Sequence, residues 1–170
     1  HRVDRRQRQM CIRDSGWGLS FRTEALAAMR GLRRYIWRMA TAPNDLLIKH
    51  WTYSQGTGKL YDPQGKHVHT GYSGYGQGRN SCEWQGAVAK GPIPQGWWDI
   101  GKPYNSKNVG PFSMRLTAQE GTRTFGRSAF VLHGDNGDKH LDESKGCIIM
   151  PRRIRERVWN SGVHLLRVVP

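Results

Sequence analysis

Short apolar runs and alternating apolar and polar positions fill the chain from Leu46 onwards, and this pattern predicts mainly β structure. Glycine, proline, asparagine and aspartate separate the runs and predict turns. Strands are expected at 46–53, 59–61, 66–72, 97–100, 112–116, 129–133, 148–150 and 163–169. A helix is expected at 151–158, where Ile154 and Val158 lie among arginines. The expected fold class is a mainly β sandwich or sheet with a short C-terminal helix and an N-terminal helical appendage.

The first quarter of the chain has a different pattern. Residues 1–20 are mostly arginine, glutamine and small polar residues, and we expect a disordered leader that need not be native. Apolar side chains then recur at spacings of three and four between Leu26 and Met39, which predicts a basic amphipathic helix and linker over 21–42. Arginines interrupt the apolar stretches, so neither a signal peptide of the usual build nor a membrane span is expected. The remainder, 43–170, is predicted to be one domain.

The net charge of +14 adds a class of partner to this picture, because a basic surface favours polyanions. Half of the excess lies in residues 1–40, which hold ten arginines and three acidic residues. A non-catalytic basic module that binds cell-wall polymer, nucleic acid or lipid is therefore one candidate function. No nucleic-acid motif is present, and aromatic and basic residues do not interleave as in a stacking surface, so no specific nucleic acid is expected.

A histidine and a cysteine at the ends of two predicted buried strands suggest an enzyme instead. Val131 and Leu132 precede His133, while Ile148 follows Cys147, and a polar, glycine-rich segment joins the two strands. Neighbouring strand ends would place an imidazole beside a thiol, which it can deprotonate. The backbone amides of Gly146 and Cys147 could then hold the oxyanion formed by attack on a carbonyl. The alternative is a buried core cysteine and a hydrogen-bonded loop histidine.

A zinc peptidase is a further alternative. His67 and His69 form a His-x-His pair on a predicted strand, and one loop holds further candidate ligands at His133, Asp135, His140 and Asp142. The order and spacing of these residues fit no known zinc signature, and the aspartates do not form a calcium loop. We therefore expect no metal and no other cofactor.

Five motifs in order along the chain resemble one bacterial family. They are Tyr53-x4-Gly58-x-Leu60, Gly71-Tyr-Ser-Gly-x-Gly76 with Asn80, Gly91-Pro-Ile-Pro-x-Gly96, Phe125-Gly-Arg-Ser, and His133-Gly-Asp-Asn with Ser144-x-Gly-Cys147-Ile. This succession, over about residues 46–169, is similar to YkuD-type L,D-transpeptidases and in particular to the related family that includes type VI secretion effectors. These effectors have L,D-carboxypeptidase and L,D-transpeptidase exchange activity on peptidoglycan stem peptides. The resemblance implies an L,D-transpeptidase-like fold and a catalytic domain at 43–170.

The resemblance also implies roles for individual residues. Cys147 would be the nucleophile and His133 its base, with Ser144 and Gly146 shaping the turn. The imidazole would be oriented by a backbone carbonyl, Asp135 or Asn136. Substrate would meet Tyr72, Ser73 and the loop to Asn80, together with Asp135 and Asn136. Typical YkuD-type enzymes have an arginine two residues after the cysteine, where this chain has Ile149, so Arg152 or Arg153 is the candidate to grip a substrate carboxylate.

The biological setting follows from the same resemblance. It implies a monomer that acts on peptidoglycan in the bacterial periplasm, is exported by a secretion apparatus and is countered by an immunity protein. The sequence leaves open the choice between hydrolysis and transfer, the stem-peptide chemistry and the identity of the target cell. Cys82 has no role in this interpretation, and a Cys82–Cys147 disulfide, which would block the thiol, is not expected.

Overall fold

The structure, a computed structural model, describes residues 48–135 and 144–170. The predictions made for residues 1–47, including the leader and the basic helix, lie outside the described residues. Within them the chain forms nine strands, one α-helix and two short 3-10 turns at Gly76–Gly78 and Cys82–Trp84. The strands are β1 Trp51–Ser54, β2 Lys59–Tyr61, β3 His67–Thr70, β4 Tyr72–Ser73, β5 Gly96–Ser106, β6 Gly110–Ala118, β7 Val131–His133, β8 Ile148–Ile149 and β9 Leu165–Val169, and the helix is α1 Arg152–Asn160.

One sheet contains all nine strands, in the order β3-β2-β1-β9-β5-β6-β7-β8-β4. The expectation of mainly β structure with a short C-terminal helix is confirmed, with a sheet rather than a sandwich. Most neighbours are antiparallel, but β1 pairs with β9 and β7 pairs with β8 in parallel. The parallel pairing of β7 with β8 matters for the site, because the two strands run in the same direction and their N-terminal ends lie next to each other.

Gly71 joins the two outermost strands of the sheet. The predicted strand at 66–72 is two strands, because β3 and β4 lie on opposite edges and only Gly71 separates them. The sheet must therefore curl until its edges come together. A Cβ atom on Gly71 would lie 2.1 Å from the carbonyl oxygen of Ile149, so only glycine fits where the chain crosses between the edges.

The two faces of the sheet carry different side chains. One face, which we call the core face, packs into the main hydrophobic cluster. It carries Trp98, Leu116, Leu132, Ile148 and Leu166. Alternation along the strands places their neighbours on the other face, which we call the site face. The site face carries Trp97, Arg115, Val131, His133, Ile149 and Arg167.

Helix α1 covers the core face with Ile154 and Val158, both buried. Arg155, on the same helix, is also buried, and its guanidinium donates hydrogen bonds to the carbonyls of Met150, Pro111 and Phe112 at 2.5–3.0 Å. Since these carbonyls belong to the segment after β8 and to β6, this arginine fixes the end of the strand that follows the candidate nucleophile.

Candidate active site

Cys147 lies immediately before β8, at the end of the sheet where β7 also begins. Continuing the parallel register by one residue sets Cys147 opposite Val131, and a backbone hydrogen bond from Val131 reaches its thiol. The sulfur lies 3.9 Å from the carbonyl oxygen of Ala129. Cys147 is a free, half-buried thiol, so the expectation that it does not pair with Cys82 is confirmed.

His133 ends β7 two residues beyond the position opposite Cys147, and both side chains are on the site face. Parallel strands about 4.8 Å apart with a rise of about 3.3 Å per residue put the two Cα atoms about 8 Å apart. A cysteine and a histidine side chain that extend toward each other span a separation of this size. The pairing of β7 with β8 therefore puts the two candidate catalytic residues on adjacent strands, two positions apart in the register.

The imidazole of His133 is buried and held by its neighbour in the chain. Its Nδ1 lies 2.7 Å from the carbonyl oxygen of Gly134. Because a carbonyl only accepts hydrogen bonds, Nδ1 carries the proton in the neutral ring and Nε2 keeps its lone pair. Of the three orienting groups predicted, a backbone carbonyl is in contact with the ring, Asp135 accepts a 3.4 Å hydrogen bond from Tyr72, and Asn136 lies outside the described residues.

Ser144 organises the turn before the cysteine. Its buried hydroxyl accepts hydrogen bonds from the amides of Gly74 at 2.9 Å and Gly146 at 3.3 Å, and it donates one to the carbonyl of Cys147 at 2.5 Å. The Gly146 amide is therefore occupied inside the turn. The oxyanion-hole role predicted for this amide does not fit the observed contact, which leaves the amide of Cys147 as the candidate donor.

Gly146 has a backbone conformation with φ of +119°, which side chains rarely adopt. A Cβ atom there would lie 2.2 Å from Nη2 of Arg127 and 3.0 Å from the ring of Phe130. The residue before the candidate nucleophile is thus glycine for two reasons, its backbone angle and the guanidinium packed against it.

Two of the predicted substrate-binding residues are structural. Ser73 is fully buried, and its hydroxyl donates to the carbonyl of Gly146 at 3.1 Å and accepts from the amide of Ile93 at 2.8 Å. The side-chain oxygen of Asn80 accepts from the amide of Ser73 at 2.9 Å and from the hydroxyl of Tyr53 at 3.3 Å. Both side chains form hydrogen bonds within the walls of the site. The contact with substrate predicted for them from the sequence does not agree with these positions.

Tyr72 remains well placed to meet a ligand. It is half-buried, its hydroxyl reaches Asp135 two residues beyond His133, and the guanidinium of Arg79 lies 4.3 Å from the centre of its ring. Strand β4 carries Tyr72 and pairs with β8 on the side away from β7, so Tyr72 and His133 both align with Ile149. Tyr72 and Asp135 therefore lie on the border of the site next to the imidazole.

Arg152 does not lie beside the thiol. It is the first residue of α1, exposed, and its Nε makes an ion pair with Glu156 at 2.7 Å. Strand β8 leads away from Cys147 toward this helix, so the prediction that Arg152 serves the cleft is not supported by its position. A different arginine is close to the thiol.

Arg127 is a candidate functional residue that the sequence did not reveal. It is buried, and its guanidinium donates hydrogen bonds to the carbonyls of Gln85 at 2.5 Å, Gly91 and Pro92 at 2.7 Å, and Lys145 at 3.2 Å. These carbonyls belong to three separate segments around the site. Its only signal in the sequence is the Phe125-Gly-Arg-Ser motif, which does not reveal what the guanidinium contacts.

The electrostatics of the thiol reflect two opposing effects. Burial raises the pKa of Cys147, while the Val131 hydrogen bond and the positive charge of Arg127 lower it, and burial is the larger effect. Burial also lowers the pKa of Arg127, but a guanidinium stays protonated in proteins. At neutral pH the resting thiol therefore keeps its proton, and attack on a carbonyl requires a base within reach.

The candidate metal ligands are not brought together within the described residues. In residues 48–135 and 144–170, no group of three or more histidine, cysteine or acidic side chains is arranged to hold a metal ion. The Nε2 atom of His67 is 3.1 Å from the hydroxyl of Thr70, and burial, Arg153 and His67 lower the pKa of His69. His140 and Asp142 lie outside the described residues.

Comparison with known proteins adds the family. Among solved structures the chain is similar to that of the Ldtfm-avibactam carbamoyl enzyme, at 11% sequence identity and a TM-score of 0.44. That match covers 72% of this chain and 49% of the other, so this chain spans about half the length of that structure, and the likeness is too slight to support an argument. No curated protein matches the chain. None of the described helices is long and apolar enough to cross a membrane.

The Tlde1 domain matches residues 67–169, which include β3 to β9, His133 and Cys147. This range covers more than half of the chain and contains four of the five motifs on which the resemblance rests, all but the one at Tyr53–Leu60. The chain therefore belongs to the Tlde1 domain family, the type VI secretion L,D-transpeptidase effector family.

Proposed function

We propose that this protein is a cysteine-dependent acyl-transfer enzyme that removes or exchanges the terminal D-amino acid of peptidoglycan stem peptides. The observation that carries the proposal is the parallel pairing of β7 with β8, which sets His133 and Cys147 on one face of the sheet, on adjacent strands and two positions apart in the register. Membership of the Tlde1 domain family supports the substrate class.

In the first half-reaction, Nε2 of His133 takes the thiol proton while the sulfur of Cys147 attacks the carbonyl carbon before the terminal D-residue. The S–C bond forms, and the carbonyl oxygen takes up the negative charge, which the amide of Cys147 stabilises. The C–N bond then breaks, and the imidazolium gives its proton to the leaving amine. The free D-amino acid departs, and the shortened peptide stays on Cys147 as a thioester.

In the second half-reaction, water or an amine attacks the thioester, and His133 accepts the proton of the attacking group. Water gives a stem peptide one residue shorter, which is L,D-carboxypeptidase activity. A free D-amino acid or the amine of a neighbouring stem peptide gives exchange or cross-linking. Cys147 recovers its proton from the imidazolium as the sulfur leaves, so the enzyme returns to its starting state.

The contacts around the thiol support this division of roles. The hydrogen bond from Nδ1 to Gly134 leaves Nε2 as the basic nitrogen of the neutral ring. A thiol that burial keeps protonated is protected from oxidation at rest, because the thiolate is the reactive form. The charge of Arg127 then favours the thiolate once His133 has taken the proton.

Purified protein incubated with disaccharide tetrapeptide tests the proposal, with products identified by mass spectrometry. We expect release of the terminal D-residue by the parent and its loss in Cys147→Ala and His133→Ala. Lys107→Gln, an exposed change in the β5–β6 turn, is the control and should keep full activity. Inhibition by a thiol alkylator but not by a chelator is also expected, and unchanged turnover by Cys147→Ala would refute the proposal.

The setting proposed for this activity is the periplasm of a bacterial cell, reached through a secretion apparatus and countered by an immunity protein. Family membership supports this proposal. Expression in the periplasm of a bacterium should cause lysis or rounding that cytoplasmic expression does not, and Cys147→Ala should abolish the effect. Equal toxicity of that variant, together with salt-dependent DNA or lipid binding, would favour the non-catalytic basic module instead.

A further inference from the structure

A cavity opens at the end of the sheet where β7 and β8 begin, which is also the end where Cys147 lies. It has a volume of about 540 Å³ and lies between the start of β5, the end of β9 and the segment that follows β6. We call it the Trp97 pocket. Its main lining side chains are Gln85, Gln95, Trp97, Arg123, Phe125 and Arg167.

The Trp97 pocket and the thiol share a face of the sheet. Trp97 pairs with Arg167, and Trp98, its neighbour on the core face, connects through Ala118, Met114 and Leu132 to Ile148. Trp97 and Arg167 are therefore on the site face, as is Cys147. Three strand spacings of about 4.8 Å separate β5 from β8, and the register places Trp97 about four residues, or about 13 Å, beyond Cys147 along the strands. In a flat sheet the Cα atoms of Trp97 and Cys147 would lie about 20 Å apart, and the curl of the sheet shortens this distance.

The Trp97 pocket is built for an anion with an apolar side. The guanidinium of Arg167 lies 5.1 Å from the ring of Trp97, and that of Arg123 lies 4.6 Å from the ring of Phe125. Neither arginine makes an ion pair with any residue in 48–135 or 144–170, and no acidic side chain is among the lining residues. A guanidinium stacked on a ring keeps its edge N–H groups available for a carboxylate.

The wall of the Trp97 pocket is rigid and continues to the catalytic turn. The side-chain oxygen of Gln85 accepts from the amide of Gln95 at 3.2 Å, and Gln95 donates to Gln55 at 3.1 Å. The carbonyl of the same Gln85 accepts a hydrogen bond from Arg127, whose guanidinium would touch a Cβ atom on Gly146. One buried residue therefore connects the pocket to the support of the thiol.

We propose that the Trp97 pocket is a second subsite that binds a free carboxylate of a peptidoglycan stem peptide while another part of the same polymer occupies the thiol site. This inference rests on the proposed function. Six residues of an extended peptide span up to about 20 Å, which covers this separation, so the part of the polymer that reaches the pocket lies beyond one tetrapeptide stem. Arg115 is exposed on the site face, in line with Val131 and Cys147, and extends the positive charge between them.

Binding to Cys147→Ala protein tests this subsite without requiring catalysis. Disaccharide tetrapeptide with free carboxylates and the same ligand with its carboxylates amidated are titrated by calorimetry. Adding Arg123→Gln and Arg167→Gln should weaken binding of the free-carboxylate ligand about tenfold, which is about 1.4 kcal/mol. Binding of the amidated ligand should not change. Lys107→Gln, a control that removes one positive charge outside the pocket, should bind both ligands as the parent does.

The outcomes separate the subsite from the proposed function. If the parent releases the D-residue but the double arginine variant binds both ligands as tightly as the control, the subsite is wrong and the function stands. If the parent turns over no muropeptide but the double variant loses binding selectively, the function is wrong and the subsite stands. Displacement of the peptide by inorganic phosphate, but not by acetate at equal ionic strength, would overturn the assignment to a carboxylate. Arg123→Lys and Arg167→Lys should restore part of the lost affinity if charge carries the contact.

Discussion

Replacement of Arg127 should separate its structural role from its electrostatic role. Arg127→Met removes the donors to four backbone carbonyls and the charge beside Cys147. Arg127→Lys keeps the charge but loses the planar group that reaches three segments at once. The two variants therefore share a loss of hydrogen bonds and differ in the charge near the thiol.

The cost in stability follows from the hydrogen bonds. A buried carbonyl that loses its partner costs about 1 kcal/mol or somewhat more, so four of them predict a loss of about 4 kcal/mol in the free energy of unfolding for Arg127→Met. Arg127→Lys should lose about half of that, because an ammonium group satisfies fewer of the carbonyls. At about 4 °C per kcal/mol, the melting temperature should fall by about 16 °C and about 8 °C. Calorimetry or circular dichroism measures both values.

The effect on the thiol is measured by the rate of iodoacetamide alkylation against pH at a temperature where all variants are folded. The positive charge of Arg127 lowers the pKa of Cys147, so its removal in Arg127→Met should move the alkylation profile to higher pH. Arg127→Lys should keep a profile close to that of the parent. A profile in Arg127→Met that coincides with the parent would refute the electrostatic role, and an unchanged melting temperature would refute the structural one.

Three further predictions concern the same region. Gly146→Ala should lose activity and at least about 2 kcal/mol of stability, measured by denaturant unfolding, because the backbone angle and Arg127 both exclude a Cβ atom. Arg152→Gln should change kcat/KM less than about twofold and stability by at most about 0.5 kcal/mol, since its ion pair with Glu156 is exposed; a tenfold loss of kcat/KM would show that it contacts substrate. Burial raises the pKa of Cys147, so its protonated form stabilises the fold below the unfolded thiol pKa of about 8.5, and this contribution is lost as the pH rises through the folded pKa. Stability curves from pH 7 to 11 should therefore fall more steeply for the parent than for Cys147→Ala, and parallel curves would contradict the burial effect.

The position of the candidate catalytic residues could be predicted from the sequence, because it depends on short runs of consecutive residues. His133 and Cys147 each adjoin a short apolar run, and strand geometry turns two such runs into neighbouring strand ends. The glycine before the cysteine follows from the need for an unusual backbone angle and close packing. These inferences need only local patterns and the pairing of two strands.

The supporting residues were not accessible because their roles depend on distant parts of the chain. Arg127 meets carbonyls between 18 and 42 residues away, and no spacing rule links them. Ser73 and Asn80 belong to one of the motifs on which the resemblance rests, but polar residues in a motif can hold a loop in place as well as bind a ligand. Only the structure shows that these two hold the wall, and that Arg152 lies at the far end of β8 from the thiol.

The strand boundaries failed where tertiary closure overrode the local pattern. Residues 66–72 have the alternation of one strand, yet the chain changes edges at Gly71. Strands β5 and β6 extend beyond the predicted 97–100 and 112–116, because their polar ends continue to pair in a long hairpin with register shifts near Pro103 and Ser106. Cross-strand pairing, rather than side-chain hydrophobicity, sets those ends.

Gly71 also gives the molecule a single point at which its sheet can be opened. Strand β4 has two residues and pairs with β8 at one edge of the sheet. A single residue, Gly71, connects it to the β2–β3 hairpin at the opposite edge. Breaking the chain there would free both borders, so the wall behind the catalytic turn would depend on those few hydrogen bonds alone. A circularly permuted protein that begins at Tyr72 should therefore keep most of its strands yet lose the fixed position of Cys147.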